Sequence, residues 1–442
     1  MIKLEFLGAL SFVGCSGVLV DTGKAKLVLD YGTKLQEIPP KFPLPIQGKA
    51  DAVLLSHCHL DHSGAVPLFN ANSNSIPVYA KDVTKNLCEL LWMDSIKISR
   101  EEGIELPFTK HDVVKTIDSF VPAKYRQQFN FKGSKITFFD AGHIPGSSMP
   151  LISSGGKNIL YTGDFKTADS RLLKGADSDL PDIDVLITES TYGYRDHPDR
   201  KSQEKLLIET IKNTLAVNGV CLIAGFAVGR LDEILLVLDS YGIDYPLYID
   251  GMAKKAITII NRHKSLMKEP NALDKALKKA EYITEEKQRK KIIRQPCVIL
   301  TTSGMLSGGP IVGYIKKLYD NRDCSLVLSG FQCVTEDTNV YLNHEHDEIK
   351  SLFKQSDKFL KNNNLEIRKL NEKIASFNIN KRCFDIGRIA FTARRRHDGE
   401  VIKLTLESGK ELLLSPEHPV LTKDMKYKKA GNLTIEDEII GV

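Results

Sequence analysis

The stretch SHCHLDHSGAVP, residues 56–67, follows the apolar run DAVLL and places His57, His59, Asp61 and His62 within six residues. An apolar core cannot hold such a group, because neutral imidazoles need hydrogen-bond partners and a carboxylate is costly to bury. His57 and His59 alternate on an extended segment and can face one metal ion. Asp61 and His62 follow on the next turn and can face a second. Imidazole nitrogen and carboxylate oxygen suit Zn²⁺, so the stretch predicts a metal site rather than a polar loop with chance histidines.

Three more polar residues follow apolar runs in the same way. His143 lies in FFDAGHIPGSS, Asp164 in YTGDFK, and Asp30 ends KLVLD. A single histidine or aspartate at the end of a strand is more often structural than a ligand. Beside the first cluster, the order and placement of His143 and Asp164 predict further metal ligands. Asp30 is expected to orient a histidine or a loop without binding metal itself.

The distribution of apolar residues predicts an α/β chain. Short runs rich in Val, Ile, Leu, Phe or Tyr predict buried strands ending in functional loops, at residues 26–33, 51–57, 136–143, 158–165 and 184–191. Helical patterning covers residues 80–99, and strands and helices alternate again from about 200 to 332. The segment 275–294 is interpreted as one charged helical surface, a solvated face more often than a nucleic-acid face.

Composition excludes several classes of protein. The chain has 442 residues, of which 42% are hydrophobic and 26% charged, as in soluble globular proteins. There is no apolar run of about 18 residues and no secretory leader, so neither a membrane partner nor secretion is expected. The net charge of +5 is compatible with a nucleic-acid substrate without arguing strongly for one. Eight cysteines without a CxxC pair favour a reducing cytoplasm over a disulfide framework.

The polar residues at the strand ends resemble the motifs of the metallo-β-lactamase superfamily. The resemblance covers Asp30, the 57–62 cluster, His143 and Asp164, and so spans the first 190 residues. It implies an αββα sandwich of the α/β class with two Zn²⁺ at the strand ends. It also implies how the two ions are held: one by His57, His59 and His143, the other by Asp61 and His62, with Asp164 bridging them.

Later stretches are similar to the β-CASP nucleases within that superfamily. LITESTYGYRDHP resembles their first additional motif, with Glu189 as its acidic residue, and this form favours the RNA-processing branch over the DNA-repair branch. GFAVGRLDEIL, LYIDGMA and TTSGMLSGG resemble segments of the β-CASP cap. Considered without the resemblance, they are loops after strands in which Arg230 and backbone N–H groups are available for phosphates, or turns that only connect elements.

The resemblance implies hydrolysis of RNA by water attacking in line on a phosphodiester. Asp61, His62, Glu189 and Asp30 are the expected catalytic residues, with Asp61 or a neighbouring carboxylate positioning the water. One alternative is a small-molecule hydrolase of the same fold, but a substrate of that size does not need the 140-residue insertion after Glu189. A second is a catalytically inactive RNA-binding homologue, against which the intact cluster weighs.

After Gln332 the chain changes character and resembles the N-terminal part of an intein. CVTEDTNVYL is similar to the opening block, with Cys333 as its first residue, and LTLESGKELLLSPEHPVLT is similar to the second. The threonine of that second block is replaced by Ser415. A thiol can attack the carbonyl of Gln332 to form a thioester, with His418 as the acid and Ser415 as a hydrogen-bond helper. A buried structural cysteine and an ordinary accessory binding domain are the alternatives.

These features predict three parts: a metallo-β-lactamase domain (1–195), an incomplete α/β β-CASP cap (196–332) and a mostly β, Hint-type intein segment (333–442). Residues 399–415 are expected to form a β-hairpin within the last part. The expected partners are RNA and a chain that carries the intein C-half and the rest of the nuclease. Little nuclease activity is expected until the two are joined. A homodimer is compatible with the sequence.

Overall fold

The computed structural model describes residues 2–10, 13–34, 40–71, 75–191, 193, 198–304, 306, 308–318, 321–329, 339–342, 345–348, 357–362, 365–378, 383–395, 402–405, 411–414, 419–423 and 427–439. From 339 to 395 only the backbone is described. Contacts divide the chain into two units. The first comprises Met1–Tyr194 and Cys221–Ile311, and the second comprises Arg195–Val220 and Val312–Val442.

The first unit begins with a six-stranded sheet whose strands lie in chain order. They are β1 (Lys3–Phe6), β2 (Val18–Asp21), β3 (Lys26–Leu29), β4 (Ala52–Leu54), β5 (Val78–Ala80) and β6 (Phe120–Pro122). The pairs β1–β2 and β2–β3 are antiparallel, whereas β3 to β6 run parallel. The carboxyl ends of β3 and β4 therefore meet at one edge of the sheet, where ligands of α/β folds commonly bind.

A second sheet has five strands in the order β11, β10, β9, β8, β7. These are β7 (Phe129–Phe131), β8 (Ser134–Asp140), β9 (Ser148–Ser154), β10 (Lys157–Tyr161) and β11 (Val185–Ile187). All neighbours are antiparallel except β10 and β11. Each of the five runs for which the sequence predicts a strand overlaps a strand of one of these two sheets.

The two sheets pack face to face around one apolar core. Leu27, Leu29 and Leu54 of the first sheet and Phe138 and Ile152 of the second are almost completely buried within a single cluster. Each such side chain contributes roughly 1.5–3 kcal/mol relative to an exposed position. The two packed sheets form a β-sandwich. Its core fixes the positions of the strand ends that carry the polar loops.

Helices accompany the first sheet, and an irregular segment covers the second. The helices are α1 (Leu60–Ser63), α2 (Leu68–Ala71), α3 (Asp82–Glu101) and α4 (Lys110–Asp118). The predicted helix at 80–99 is confirmed as α3, whose Trp92 is buried and donates its indole N–H to the Ser63 carbonyl (3.1 Å). On the outer face of the second sheet, Met149 and Leu160 pack in a cluster with Phe165 and Leu180 of a non-helical segment.

Residues 221–311 of the first unit, called the cap here, alternate strands and helices. They contain all but the first residue of β12 (Val220–Ala224), then α6 (Arg230–Ser240), β13 (Leu247–Ile249), α7 (Ala253–Asn261), a 3-10 turn (Lys264–Leu266), α8 (Ala272–Leu277), β14 (Ala280–Tyr282), α9 (Glu286–Ile292), β15 (Cys297–Thr301) and the start of α10 (Pro310–Leu318). Within the first unit, the strands of its sheet lie in the order β14, β13, β15, β12.

The prediction of one charged helical surface at 275–294 is wrong. The segment contains the end of α8, strand β14 and helix α9. Ala280, Glu281 and Tyr282 pair in parallel with β13, and the next residue, Ile283, is buried. The apolar and aromatic residues at 280–283 favour a strand, and pairing with β13 outweighs the helical preference of the flanking lysines and glutamates.

The second unit contains α5 (Arg200–Ala216), β16 (Ser325–Leu328) and a β-rich tail. The tail strands are β17 (Asn339–Leu342), β18 (Glu345–Glu348), β19 (Asp357–Asn362), β20 (Leu365–Asn378), β21 (Cys383–Arg395), β22 (Ile402–Thr405), β23 (Glu411–Leu414), β24 (Pro419–Leu421) and β25 (Tyr427–Lys429). A 3-10 turn, Ala430–Asn432, follows them. The predicted hairpin is confirmed, since β22 and β23 pair antiparallel from Ile402–Leu414 to Thr405–Glu411.

The last residues of the tail have a small core of their own. Leu414, Val420 and Ala430 are buried together, with Ile402 and Leu404 packed against them. Gln332, Cys333, Ser415 and His418 lie outside the described residues. The predicted domain boundaries stay predictions. No described helix is both long and apolar enough to cross a membrane.

Candidate metal centre

Loops at the ends of parallel strands position the histidine cluster. After β4 the chain passes through Ser56 and His57, and His59 is the N-cap residue directly before α1. This short turn lies tightly against the loop after β3. A Cβ atom added to Gly32 would lie 1.7 Å from the carbonyl oxygen of Asp61, so only glycine allows this approach. Backbone contact between the two loops thereby fixes the position of the cluster.

The first group of converging ligand atoms comprises His57, His59, His143 and Asp164, and these atoms lie within 4.8 Å of one another. Nδ1 of His59 lies 3.1 Å from Nε2 of His57 and 3.4 Å from Nε2 of His143. Oδ2 of Asp164 lies 3.6 Å from Nε2 of His143 and 4.0 Å from Nε2 of His57. Three imidazoles and one carboxylate oxygen therefore face one small volume.

Asp164 also faces a second group through its other oxygen. Oδ1 of Asp164 lies 3.2 Å from Nε2 of His62, and Oδ2 of Asp61 lies 3.8 Å from the same nitrogen. His57 and His62 are buried, while the side chains of Asp61, His143 and Asp164 are each about 30% exposed. The carboxylate of Asp164 thus lies between two sets of ligand atoms on the open side of the cluster.

Asp30 lies behind the cluster and is completely buried. Its Oδ2 accepts hydrogen bonds from the Ser56 hydroxyl (2.6 Å), the Tyr161 hydroxyl (2.8 Å) and Nδ1 of His62 (2.7 Å), and its Oδ1 accepts one from the Ser56 amide (2.7 Å). Its backbone has a φ of +55°, which aspartate tolerates better than most residues. Four donors compensate the buried carboxylate and fix the groups around it.

This network determines which nitrogen of each buried histidine is available as a ligand. The single proton of the Ser56 hydroxyl goes to Asp30, so Nδ1 of His57, 3.0 Å from that oxygen, must donate its own N–H. His62 donates Nδ1–H to Asp30. In the neutral imidazoles, Nε2 of both rings then presents a lone pair to the cluster. That donor set fits a metal cation, because a cation is what converging lone pairs and a carboxylate require.

The electrostatics of the cluster favour neutral rings at His57 and His143 and a protonated ring at His62. Burial lowers the pKa of His57 well below its usual value, and the neighbouring histidines His62 and His59 lower it further. Burial and His59 lower the pKa of His143 to about 3. Burial opposes a charge on His62, yet Asp164 and Asp61 raise the pKa of that imidazole well above its usual value. Against the effect of burial, His62 lowers the pKa of Asp164 strongly.

The cap reaches this cluster within the first unit. Gly229 has a φ of +79°, and a Cβ added there would lie 2.6 Å from Ile144, next to His143. Arg230 is exposed, and it is one of the charges that lower the pKa of His143, after burial and the effect of His59. The carboxylate of Glu233 accepts hydrogen bonds from the amides of Arg171 and Leu172, each at 2.8 Å. The start of α6 is therefore fixed against loops of the sandwich.

The structure brings together His57, His59, His62, His143 and Asp164, with Asp61 at their edge and Asp30 behind them. Glu189 belongs to neither group of converging ligand atoms among the described residues. It follows β11 and accepts a hydrogen bond from the Thr191 amide (3.1 Å). The roles assigned to all these residues stay predictions, as do those of Cys333, Ser415 and His418.

Two contributing residues are absent from the sequence-based predictions. Ser56 links His57 to Asp30, and Tyr161 donates to Asp30 from the end of β10. Their only signals are their positions, one residue before the first histidine and three before Asp164. A partner for Asp30 cannot be identified from such positions without the strand pairing.

Two family descriptions match the chain. Residues 10–188 match the metallo-beta-lactamase superfamily domain, and residues 232–337 match the Beta-Casp domain. The first match contains all the residues of the cluster, which are Asp30, His57, His59, Asp61, His62, His143 and Asp164. The second begins within α6 and runs a few residues past Cys333.

Archaeal proteins are similar to this chain over the same share of its length. The probable RNase MJ4 of Methanocaldococcus jannaschii is 41% identical over 341 residues, covering 75% of this chain and 79% of that protein. RNase aCSPSF2 of Saccharolobus solfataricus is 34% identical, covering 75% and 67%. The transcription termination factor FttA of Methanosarcina mazei is 33% identical, covering 75% of this chain and 56% of the factor.

Proposed function

The chain belongs to the β-CASP family of the metallo-β-lactamase superfamily, and from this premise we propose that it is the catalytic part of a metal-dependent ribonuclease. Its reaction is hydrolysis of RNA phosphodiester bonds. The observation that carries the proposal is the position of Asp164, whose two oxygens face the group of three histidines and His62 respectively. RNA is chosen as substrate because two of the similar archaeal proteins are named RNases.

Two Zn²⁺ ions are the proposed cofactors. His57, His59 and His143 would hold one ion, His62 and Asp61 the other, and Asp164 would contact both. When bound, the ions would supply positive charge to the scissile phosphate and lower the pKa of a water molecule in the site. Through its hydrogen bonds, Asp30 would keep His57 and His62 in the tautomers whose Nε2 is available to bind a metal ion.

Other residues of the first unit would bind and orient the substrate. Arg230 is exposed, and its charge already acts on His143, so a phosphate at the open side of the cluster would find a cation there. Phe226, in the same loop after β12, is 43% exposed and offers a ring on which a base can stack. Asp61 would accept a hydrogen bond from the attacking water and orient it toward phosphorus.

Metal content gives the most direct test of the site. We expect the purified chain to hold about two zinc ions after dialysis. Inductively coupled plasma mass spectrometry measures this zinc content. His59→Ala removes the imidazole whose Nδ1 lies close to Nε2 of both His57 and His143, so this variant should hold less zinc. His111→Ala is the matched control, because His111 is exposed on α4. Equal zinc in all three proteins would contradict the proposed ligand set.

Cleavage assays on RNA, single-stranded DNA and acyl thioesters identify the substrate class. The proposal expects slow, zinc-dependent cleavage of RNA that His59→Ala abolishes and His111→Ala retains. Cleavage of DNA alone that survives in His59→Ala would rule out this ribonuclease. Turnover of thioesters without cleavage of RNA would identify the small-molecule hydrolase instead.

We further propose that the tail beginning at Cys333 is the N-terminal part of an intein. Three observations support it. The archaeal relatives match 75% of the chain and leave a quarter unmatched, the tail contains the β-hairpin expected of such an element, and residues 402–439 include a small apolar core. The opening block and the Ser415–His418 segment supply the chemistry.

In the proposed first step, Sγ of Cys333 attacks the carbonyl carbon of Gln332. A C–S bond forms and the C–N bond of the Gln332–Cys333 peptide breaks. The Cys333 nitrogen leaves as an amine and takes up a proton from His418, while the thiol proton is lost to solvent. The resulting thioester is open to attack by an added thiol.

Incubation with an added thiol followed by mass spectrometry tests this step. We expect fragments that end at Gln332 and begin at Cys333, and we expect Cys333→Ala to give neither. Cys383→Ala is the matched control, since it removes another cysteine of the same tail. An uncleaved chain, or cleavage that persists in Cys333→Ala, would support the accessory-domain alternative. The partner chain, the low activity before joining, the homodimer and the cytoplasmic location stay predictions.

A further inference from the structure

A basic pocket lies between α3 of the sandwich and α7 of the cap, and it is distinct from the metal centre. Its volume is about 440 Å³, and residues of α3, α7 and the end of β14 line it. Helix α7 lies close to α3 here, as shown by the hydrogen bond between Asn86 and His263 (3.2 Å). We call this concavity the α3–α7 pocket. Its volume is within the range of small-ligand sites.

The charged side chains of the pocket are all cations. Lys254, Lys255 and Arg262 contribute to the lining, and no carboxylate is among the eight lining residues. The amino group of Lys254 donates to the Ile283 carbonyl and lies 3.9 Å from Asp250, so this lysine is already engaged. Lys255 and Arg262 are exposed and lie seven residues apart, which places them on the same face of α7. These two are the cations that a ligand would meet.

An aromatic ring and two hydroxyls complete the lining. Tyr282, at the end of the edge strand β14, is 38% exposed. Thr258 and Thr284 provide hydroxyl groups, and Leu90 adds apolar surface from α3. A ring beside two exposed cations suits a ligand that has both a planar group and a negative charge. Lysine and arginine neutralise phosphates, and tyrosine stacks on bases.

We propose that the α3–α7 pocket binds one nucleotide unit of an RNA strand, with the base on Tyr282 and the phosphate between Lys255 and Arg262. This inference rests on the proposed ribonuclease function, since it identifies RNA as the occupant. The phosphate of a nucleotide complements the cationic lining, and its base matches the exposed ring. The pocket is therefore a second point of attachment for the RNA, besides the metal centre.

RNA binding by the full chain tests the proposal when measured by fluorescence anisotropy with a labelled single-stranded oligoribonucleotide. Without added zinc and with a chelator present, hydrolysis does not interfere. Arg262→Ala and Lys255→Ala should each weaken binding several-fold and reduce the salt dependence of the binding constant by about one phosphate contact. Tyr282→Ala should weaken binding about five- to a hundred-fold, whereas Tyr282→Phe should retain it.

Two controls test whether these losses belong to the pocket. Lys135→Ala removes an exposed lysine from β8, and Tyr245→Ala removes a tyrosine that is 43% exposed before β13. Both should bind RNA as the unmodified chain does. Unchanged affinity and salt dependence in Lys255→Ala and Arg262→Ala would overturn the proposal, and so would equal losses in Tyr282→Phe and Tyr282→Ala. Competition with adenosine monophosphate tells a free nucleotide from a strand: displacement of the oligonucleotide at equal molar concentration would overturn RNA as the occupant.

Failure of the pocket and failure of the ribonuclease proposal give different results. The pocket variants should keep the zinc content of the unmodified chain, because none of these residues belongs to the ligand groups. His59→Ala should lose zinc yet retain the Tyr282-dependent binding of RNA. Binding without cleavage would therefore overturn only the proposed activity, and cleavage that is insensitive to the pocket variants, with unchanged affinity, would overturn only the pocket.

Discussion

Two buried aspartates of the first unit have very different surroundings. Asp30, behind the histidine cluster, accepts four hydrogen bonds from Ser56, Tyr161 and His62. Asp232, in the first turn of α6, accepts one from the Gly229 amide at 3.0 Å, and its buried Oδ1 has no hydrogen-bond partner among the described residues. Both side chains are completely buried. The number of donors differs although the burial is the same.

The difference separates an aspartate with many hydrogen-bond donors from one with few. Four donors compensate the burial of Asp30, which holds two histidines in defined orientations. Burial raises the pKa of Asp232 to about 7, and backbone hydrogen bonds from Gly229 and from Asp232 itself offset only part of this effect. The charge of Asp232 therefore changes near neutral pH, and with it the strength of the hydrogen bond that holds the Gly229 loop. Three substitutions test this contrast, beginning with the largest expected effect.

Asp30→Asn should reduce zinc affinity about 10- to 100-fold, although Asp30 is not expected to touch the metal. Asparagine offers one acceptor oxygen in place of two, and its amide hydrogens would face other donors. A loss of about 3–5 kcal/mol in unfolding free energy should accompany the change, because donors that served a buried charge lose their partner. Titration against a zinc chelator and urea unfolding followed by the fluorescence of Trp92, the chain's single tryptophan, measure the two effects.

Asp51→Asn is the control for this prediction. Asp51 is a half-buried acceptor for the Lys26 amide and lies outside both ligand groups, so its substitution should leave zinc affinity unchanged. If Asp30→Asn bound zinc as tightly as Asp51→Asn, Asp30 would have no orienting role.

Asp232→Asn should change the dependence of stability on pH. The folded pKa is raised, so the folded chain keeps a proton that the unfolded chain releases above about pH 4. The stability contributed by this carboxyl is complete below the unfolded pKa and is lost as the pH rises to about 7, at about 1.4 kcal/mol per pH unit. Asparagine imitates the protonated form, so the variant should gain up to about 4 kcal/mol over the unmodified chain across this range.

Urea unfolding of both proteins between about pH 4 and pH 8 measures the difference, again through Trp92. Glu233→Gln is the comparison variant, since the carboxylate of Glu233 is hydrogen-bonded to two amides of the sandwich. Parallel stability profiles for Asp232→Asn and the unmodified chain would show that Asp232 is ionised throughout this range.

Most of the metal centre could be predicted because its residues follow strands that the sequence marks clearly. The runs that end before Asp30, His57, His143 and Asp164 are short, apolar and bounded by polar residues, and each contains an observed strand. Carboxyl ends of neighbouring strands meet in space, so residues far apart in sequence come together.

Contacts that depend on the approach of side chains could not be predicted. Nothing in the sequence marks Tyr161 as a partner of Asp30, 131 positions away. The strand β14 was missed because lysines and glutamates around Ala280–Tyr282 favour a helix, while pairing with β13 decides the conformation. The α3–α7 pocket could not be predicted for the same reason, because the pairing of β14 with β13 places Tyr282 beside α7.

Tyr161→Phe should give the smallest of the three effects, because it removes one of the four donors to Asp30 and little volume. A hydrogen bond to a charged group contributes about 1.5–3 kcal/mol, so the unfolding free energy should fall by an amount in that range. Ser56 and His62 continue to donate to the carboxylate, and zinc affinity should therefore change far less than in Asp30→Asn. Tyr245→Phe, at an exposed tyrosine, should change neither quantity. A loss of zinc as large as that of Asp30→Asn would mean that Tyr161 alone, rather than the full set of donors, keeps Asp30 in its orienting position.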